Sequence, residues 1–123
     1  MPKCILLVDD NAAIRQTLRT VFEETSGWEV CGEAENGREA IEKARKLKPD
    51  LIVLDLSMPI MSGLEAAPVL RRMLPTVPII LFTLHGSKFL ERDARSAGVT
   101  AVVSKDAAVT TLVNQAEDLL RAA

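Results

Sequence analysis

Aromatic residues are scarce in this chain: no tyrosine, one tryptophan and three phenylalanines make up 3% of its 123 residues. A surface that binds nucleic acid by stacking bases needs several exposed rings, so composition excludes that class of activity. Charge excludes another, because 15 Lys and Arg against 17 Asp and Glu leave a net -2. No uniform positive field exists to draw DNA or an anionic membrane, and this domain alone is expected to bind no nucleic acid. Apolar runs are all far shorter than the roughly 20 residues that span a bilayer. The opening Met1-Pro2-Lys3-Cys4 also lacks a signal peptide's charged and apolar regions. A cytoplasmic location without membrane contact is the expectation. Only two cysteines occur, Cys4 and Cys31. Both fall in apolar strand candidates, where a thiol serves as a small hydrophobe, and two well-separated residues give no disulfide framework.

What is present is a 48% hydrophobic chain, long enough to bury an aliphatic core, and its 1–123 span reads as one domain. Four short apolar runs are evident: Cys4 to Val8, Leu51 to Leu54, Ile79 to Phe82 and Ala101 to Ser104. The stretch Glu29 to Ala34, led by Trp28, supplies a fifth. Between them the apolar period changes to that of helices, with Ile14, Leu18, Val21 and Phe22 on one face and Ala40, Ile41, Ala44 and Leu47 on the next. A last stripe runs through Val109, Leu112, Val113, Ala116, Leu119 and Leu120. Asn36-Gly37 and Ser62-Gly63 mark helix starts, and Gly98 marks a helix end. Pro68 falls inside the third helical segment, Gly63 to Met73, where it deletes an amide donor and is expected either to kink or delay the helix or to sit tolerated in its first turn.

Alternation of this kind predicts an α/β fold. Five parallel strands in the order 2-1-3-4-5 form an open sheet flanked by five helices, doubly wound and flavodoxin-like. Ligands bind such sheets beyond the carboxyl ends of the strands, at the switch point between strands 1 and 3. The polar residues that stop the apolar runs belong there: Asp9 and Asp10 after the first, Asp55 after the third, Thr83 after the fourth and Lys105 after the fifth. A bland reading exists for each. Asp10 or Asn11 could cap a helix, Thr83 could start one, and Lys105 could be a solvated amine.

Asp55 shifts the balance, because two carboxylates ~5 Å apart repel by roughly 3 kcal/mol at an effective dielectric near 20, and a third adds to it. An oxygen-only donor set with no thiolate or imidazole suits a hard cation, and Mg2+ fits a site of few carboxylates completed by water and phosphoryl oxygens. An ionised Asp beside such a cation can act as a nucleophile toward phosphorus. The resulting acyl phosphate is an anion that an ammonium can pair with and a hydroxyl can bond.

At this point the residues resemble the receiver domain of two-component response regulators. The likeness rests on the ordered blocks Ile5-Leu-Leu-Val-Asp-Asp-Asn11, Asp50-Leu-Ile-Val-Leu-Asp-Leu-Ser-Met-Pro59, Met61-Ser-Gly63, Ile79-Ile-Leu-Phe-Thr83, Ala97-Gly98 and Ser104-Lys105. The resemblance implies that Asp55 is the phosphoacceptor, and that Asp9, Asp10 and Asp55 hold Mg2+ together with the backbone carbonyl of Ser57. It further implies that Thr83 and Lys105 are the switch hydroxyl and the phosphate-pairing lysine, and that a sensor histidine kinase is the donor. Partner binding, or pairing with a second copy, would then change on the face made by the fourth helix, fifth strand and fifth helix. By the same resemblance the chain is no enzyme toward outside substrates and catalyses only its own phosphorylation and dephosphorylation.

Three positions depart from the family's pattern, and a fourth residue raises a separate question. Val102 stands where many receivers carry Tyr or Phe, so the usual rotation of a ring is not available. Leu84 replaces a small residue after the threonine and crowds the mouth of the site. Asp106 replaces the proline that often follows the lysine, as in receivers that precede a DNA-binding helix-turn-helix. His85, the one histidine, invites a phosphocarrier reading that its loop setting beside Gly86 disfavours. Two alternatives follow: a degenerate receiver that binds partners regardless of phosphorylation, or the receiver part of a longer transcriptional regulator. An aspartyl-phosphate hydrolase is disfavoured because Ser57 stands where a second acid should protonate the leaving group.

Overall fold

The computed structural model describes residues 2–25, 27–84 and 88–122. Five strands alternate with five helices: β1 (Lys3–Val8), α1 (Ala12–Glu23), β2 (Trp28–Ala34), α2 (Gly37–Leu47), β3 (Leu51–Leu54), α3 (Gly63–Met73), β4 (Ile79–Thr83), α4 (Lys88–Ser96), β5 (Ala101–Ser104) and α5 (Val109–Ala122). All pairings are parallel, in the order β2-β1-β3-β4-β5, as the alternation predicted. The chain steps outward from β1 to β2, then reverses to β3 and continues to β5. Right-handed crossovers therefore put α1 and α5 on one face and α2, α3 and α4 on the other.

Alternate residues of each strand serve the two faces. Ile5, Leu7, Leu51, Val53, Ile80 and Val103 pack with Leu18 and Phe22 of α1 and Leu112, Ala116 and Leu120 of α5. Leu6, Val8, Ile52, Leu54, Ile79 and Leu81 pack with Ala40 and Ala44 of α2, Ala66, Ala67 and Leu70 of α3 and Ala94 of α4. The small alanines on the second face let α2 and α3 approach the sheet and each other. With so few aromatics, the one ring pair among the described residues is Phe22 against Trp28, centroids 5.7 Å apart.

Helix starts follow the sequence punctuation. Asn11 caps α1 by accepting from the amides of Ala13 and Ile14, Asn36 caps α2 through Glu39, and Ser62 with Glu65 forms a reciprocal capping box on α3. The α1 cap is thus Asn11, which leaves Asp10 free of that duty. Pro68 neither delays α3 nor lies in its first turn. It is the sixth residue of a helix that runs unbroken from Gly63 to Met73, exposed on the outer face. Pro68→Ala is expected to stabilise the fold by about 2 kcal/mol, the interior-proline cost less the entropy proline removes from the unfolded chain. Urea denaturation followed by circular dichroism checks this, and a loss of stability would contradict it.

The cysteines overturn the sequence expectation: Cys4 and Cys31 are joined as a disulfide, across 27 residues of chain. Neighbouring strands carry them, and a bulge between Ile5 and Leu6 pairs Ile5 with Val30 but Leu6 with Gly32. Cys31 is the extra residue at that bulge, a local irregularity that periodicity does not report.

Candidate functional site

The carboxyl ends of β1, β3, β4 and β5 frame a cleft of about 220 Å³ lined by Asp9, Asp10, Asn11, Ile14, Asp55, Ser57, Thr83, Leu84 and Lys105. Every cleft residue singled out from the sequence is in that lining except Val102. Val102 lies inside β5, three residues before Lys105, partly buried against the α2–α4 side of the core. Leu84 stands at the mouth and is 57% exposed. His85 lies outside the described residues.

One carboxylate oxygen from each of Asp9, Asp10 and Asp55 falls within 4.8 Å of the others. Asp9 and Asp55 are buried while Asp10 is open to solvent. Each buried acid has one oxygen tied down: the Asn11 amide donates to Asp9 Oδ1 at 2.9 Å, and the Leu56 amide donates to Asp55 Oδ1 at 2.8 Å. Lys105 addresses the other oxygens, its Nζ 2.7 Å from Asp9 Oδ2 and 3.3 Å from Asp55 Oδ2. That ammonium is itself mostly buried and also lies 5.9 Å from the centre of the Phe82 ring. Burial pushes the Asp55 carboxyl above the usual carboxylate range, the negative charge of Asp9 adds to the shift, and Lys105 opposes it only in part. Thr83 is fully buried, and its carbonyl accepts from the Lys105 amide at 2.9 Å.

Three supports have roles that the sequence did not reveal. Arg15, one turn into α1, donates from its guanidinium to the Asp9 carbonyl at 2.6 Å and to Glu33 Oε1 at 2.9 Å. Glu33 also binds Arg19 at 2.7 Å. Burial alone would push Glu33 up, but the hydrogen bonds from Arg19 and Arg15 outweigh it and hold its carboxyl below the usual range. The end of β2 is thereby bound to the loop that carries Asp9 and Asp10. The third support is Gly63. A Cβ there would sit 2.2 Å from the Asp55 carbonyl oxygen, and its amide donates to the Leu56 carbonyl at 2.9 Å. Only a residue without a side chain lets α3 start this close to the strand end. No signal in a single sequence marks Arg15. Gly63 was visible as a helix-start glycine, without its reason.

Chemically, the donor set is all oxygen, convergent and open on the Asp10 side, which fits a small hard cation rather than a thiophilic one. The same cleft offers a fixed carboxylate, an ammonium and a hydroxyl-bearing residue within one pocket.

This geometry and the sequence agree with known proteins. The chain belongs to the response regulator receiver domain family, the signalling module of two-component systems, which it matches over residues 5–117. It is 38% identical over 105 residues to chemotaxis protein CheY of Thermotoga maritima, covering 85% of this chain and 87% of that one. It is also 38% identical over 119 residues to the protein-glutamate methylesterase/protein-glutamine glutaminase of Archaeoglobus fulgidus, covering 95% of this chain but 34% of that one. Among solved structures, a LuxR-family two-component response regulator from Aurantimonas sp. SI85-9A1 superposes with a TM-score of 0.94 at 31% identity, over 99% of this chain and 87% of the other. No described helix is long and apolar enough to cross a membrane.

Proposed function

We propose that this domain is a phosphorylation-dependent signalling switch: Asp55 takes a phosphoryl group from the phosphohistidine of a sensor histidine kinase, and the product changes partner binding. The observation that carries the reading is the convergence on Lys105, which lies within ion-pair distance of both Asp9 and Asp55. A buried lysine held between two buried acids is a costly arrangement for a structural role alone.

Mg2+ would be held by the carboxylates of Asp9, Asp10 and Asp55 and by the backbone carbonyl of Ser57. When bound it neutralises the acids and the incoming phosphoryl oxygens. The chain's own residues do the rest. With Oδ1 of Asp55 fixed by the Leu56 amide, a carboxylate oxygen attacks phosphorus as the P–N bond to the donor imidazole breaks, and the imidazole keeps the electron pair. Lys105 shifts from the acids to the new phosphoryl oxygens, and the Thr83 hydroxyl donates to another. A hydrogen bond to a charged group contributes about 1.5–3 kcal/mol, so two such contacts approach the ~5.5 kcal/mol that inverts a two-state equilibrium.

Readout falls to the face made by α4, β5 and α5, where a partner or a second copy of the domain docks. Val102 has no ring to swing, so displacement of Thr83 and the start of α4 carries the signal there. That same valine favours a second reading, a receiver that engages partners regardless of phosphorylation. Incubation with acetyl phosphate and Mg2+, followed by intact-mass measurement and mapping of the acyl phosphate, separates the two. Stoichiometric label on Asp55 supports the switch, and an unlabelled wild type leaves the second reading.

Asp10→Ala is expected to weaken Mg2+ binding about tenfold or more, since it removes one of three charged donors and the one open to solvent. Titration calorimetry reads this directly. Wild-type affinity in the variant would remove Asp10 from the metal site.

A further inference from the structure

We propose that Cys4 and Cys31 form a reversible thiol–disulfide site whose oxidation locks the edge strand β2 onto β1. The inference is independent of phosphoryl chemistry.

β2 has one neighbour in the sheet, β1, and more than half of its residues are at least partly exposed. It is one of the two edge strands of the sheet and is held from one side only, along its seam with β1. The two cysteines cross that seam with their Cα atoms 5.3 Å apart, within the range a disulfide spans without backbone movement. The two sides of the bridge differ in rigidity. The backbone of Cys4 is gripped from both directions, its amide donating to Asp50 Oδ2 at 2.8 Å and its carbonyl accepting from the Asp50 amide at 2.7 Å. Cys31 is the surplus residue of the bulge on the outer strand and has no register partner on β1. The next residue is Gly32, where a Cβ would lie 2.6 Å from Leu47 Cδ1, so α2 closes down on the bulge.

Both cysteines are only half-buried, so a small disulfide or thiol can reach the pair. The exchange balances without metal or enzyme. One cysteine thiolate attacks a low-molecular-weight disulfide such as oxidised glutathione, forming a mixed disulfide and releasing one thiol. The second cysteine thiolate then displaces the remaining small thiol. Two protein thiols have been oxidised, one small disulfide has been reduced to two thiols, and excess thiol reverses both steps.

The consequence reaches the cleft along the seam. Backbone bonds close it at each end, Lys3 amide to Gly27 carbonyl at 2.6 Å and Asp9 amide to Ala34 carbonyl at 3.0 Å. The second of these belongs to Asp9 itself, and Glu33 beside it grips Arg15 and Arg19. Locking the middle of β2 thus holds the acidic loop more firmly.

The test equilibrates the full chain in buffers of varied reduced-to-oxidised glutathione ratio, traps thiols by alkylation and reads intact mass, melting temperature and amide exchange. A single transition is expected, from two alkylated cysteines to none, reversed by added thiol. The oxidised form should melt about 8–12 °C higher, with exchange of the Asp9 amide slowed about tenfold. Cys31→Ser and, separately, Cys4→Ser should show neither difference between the same buffers. Two alkylatable thiols at every ratio would overturn the proposal. So would a disulfide that excess thiol does not open, equal Asp9 exchange in both forms, or the same melting shift in either serine variant.

Discussion

Asp55→Asn is expected to abolish phosphoryl uptake from acetyl phosphate and, in Mg2+-free buffer at pH 7, to melt higher than wild type by about 3–5 °C, the shift that roughly 1 kcal/mol produces in a domain of this size. The two effects have one cause. Burial and the neighbouring Asp9 raise the Asp55 pKa in the folded state, so the native fold binds this proton more tightly than the unfolded chain does. The stability gained from protonation is complete below the unfolded value near 3.9. It is lost as pH rises through the folded value. Above the folded value the wild type carries the cost of an ionised, crowded carboxylate, and asparagine does not. The gap between the two melting temperatures should therefore close as pH falls toward 4. Adding Mg2+ should stabilise the wild type and leave the variant nearly unmoved. Wild-type labelling of the asparagine variant would displace Asp55 from the acceptor role, and a lower melting temperature in metal-free buffer would refute the electrostatic argument.

The second large effect is on Lys105. Lys105→Met keeps the length of the side chain and removes its charge, leaving two buried carboxylates without their counterion. Its side chain and those of Asp9 and Asp55 are 9%, 5% and 8% exposed, so solvent cannot take its place. Breaking a buried pair by deleting one partner costs about 3–5 kcal/mol, and a loss of that size at pH 7 without metal is expected. Urea titration read by the fluorescence of Trp28, the chain's one tryptophan, measures it, because that ring packs on Phe22 across the core. The deficit should shrink in acid. Lys105 normally lowers the Asp55 pKa, so without it the folded value rises further, and stability is lost as pH climbs through that higher value. Mg2+ should restore much of the loss by supplying the missing positive charge. A Lys105→Met protein within about 1 kcal/mol of wild type in metal-free buffer would mean that the acids are far better solvated than their burial implies.

Much of this site was readable before any coordinates because parallel strands end on one edge. Asp9, Asp10, Asp55, Thr83 and Lys105 each terminate an apolar run, and run length alone fixes where those terminators meet. The helices were legible for a related reason: Asn11, Asn36 and Ser62 satisfy amides that every helix start leaves open. What stayed hidden depends on contacts between segments distant in the chain. Arg15 reads as an ordinary polar residue of α1 until β2 brings Glu33 beside it. The pairing of Cys4 with Cys31 requires the bulge between Ile5 and Leu6, and a bulge leaves no trace in an apolar pattern. Pro68 misled in the opposite sense, because an exposed helix face supported by caps and packed alanines tolerates one missing bond that propensity alone counts as a break.

The fit of α3 against the strand end has a mechanical consequence. Its first residue rests on the backbone of Asp55 with no room for even a methyl group. In its last turn, Arg71 reaches over to the Gly98 carbonyl at 3.0 and 2.8 Å and to Thr100 Oγ1 at 3.2 Å, at the entry to β5. Eleven residues of helix, about 16 Å at 1.5 Å per residue, thus form a strut with no slack at either joint. The helix ties the acidic rim of the sheet to the opposite rim.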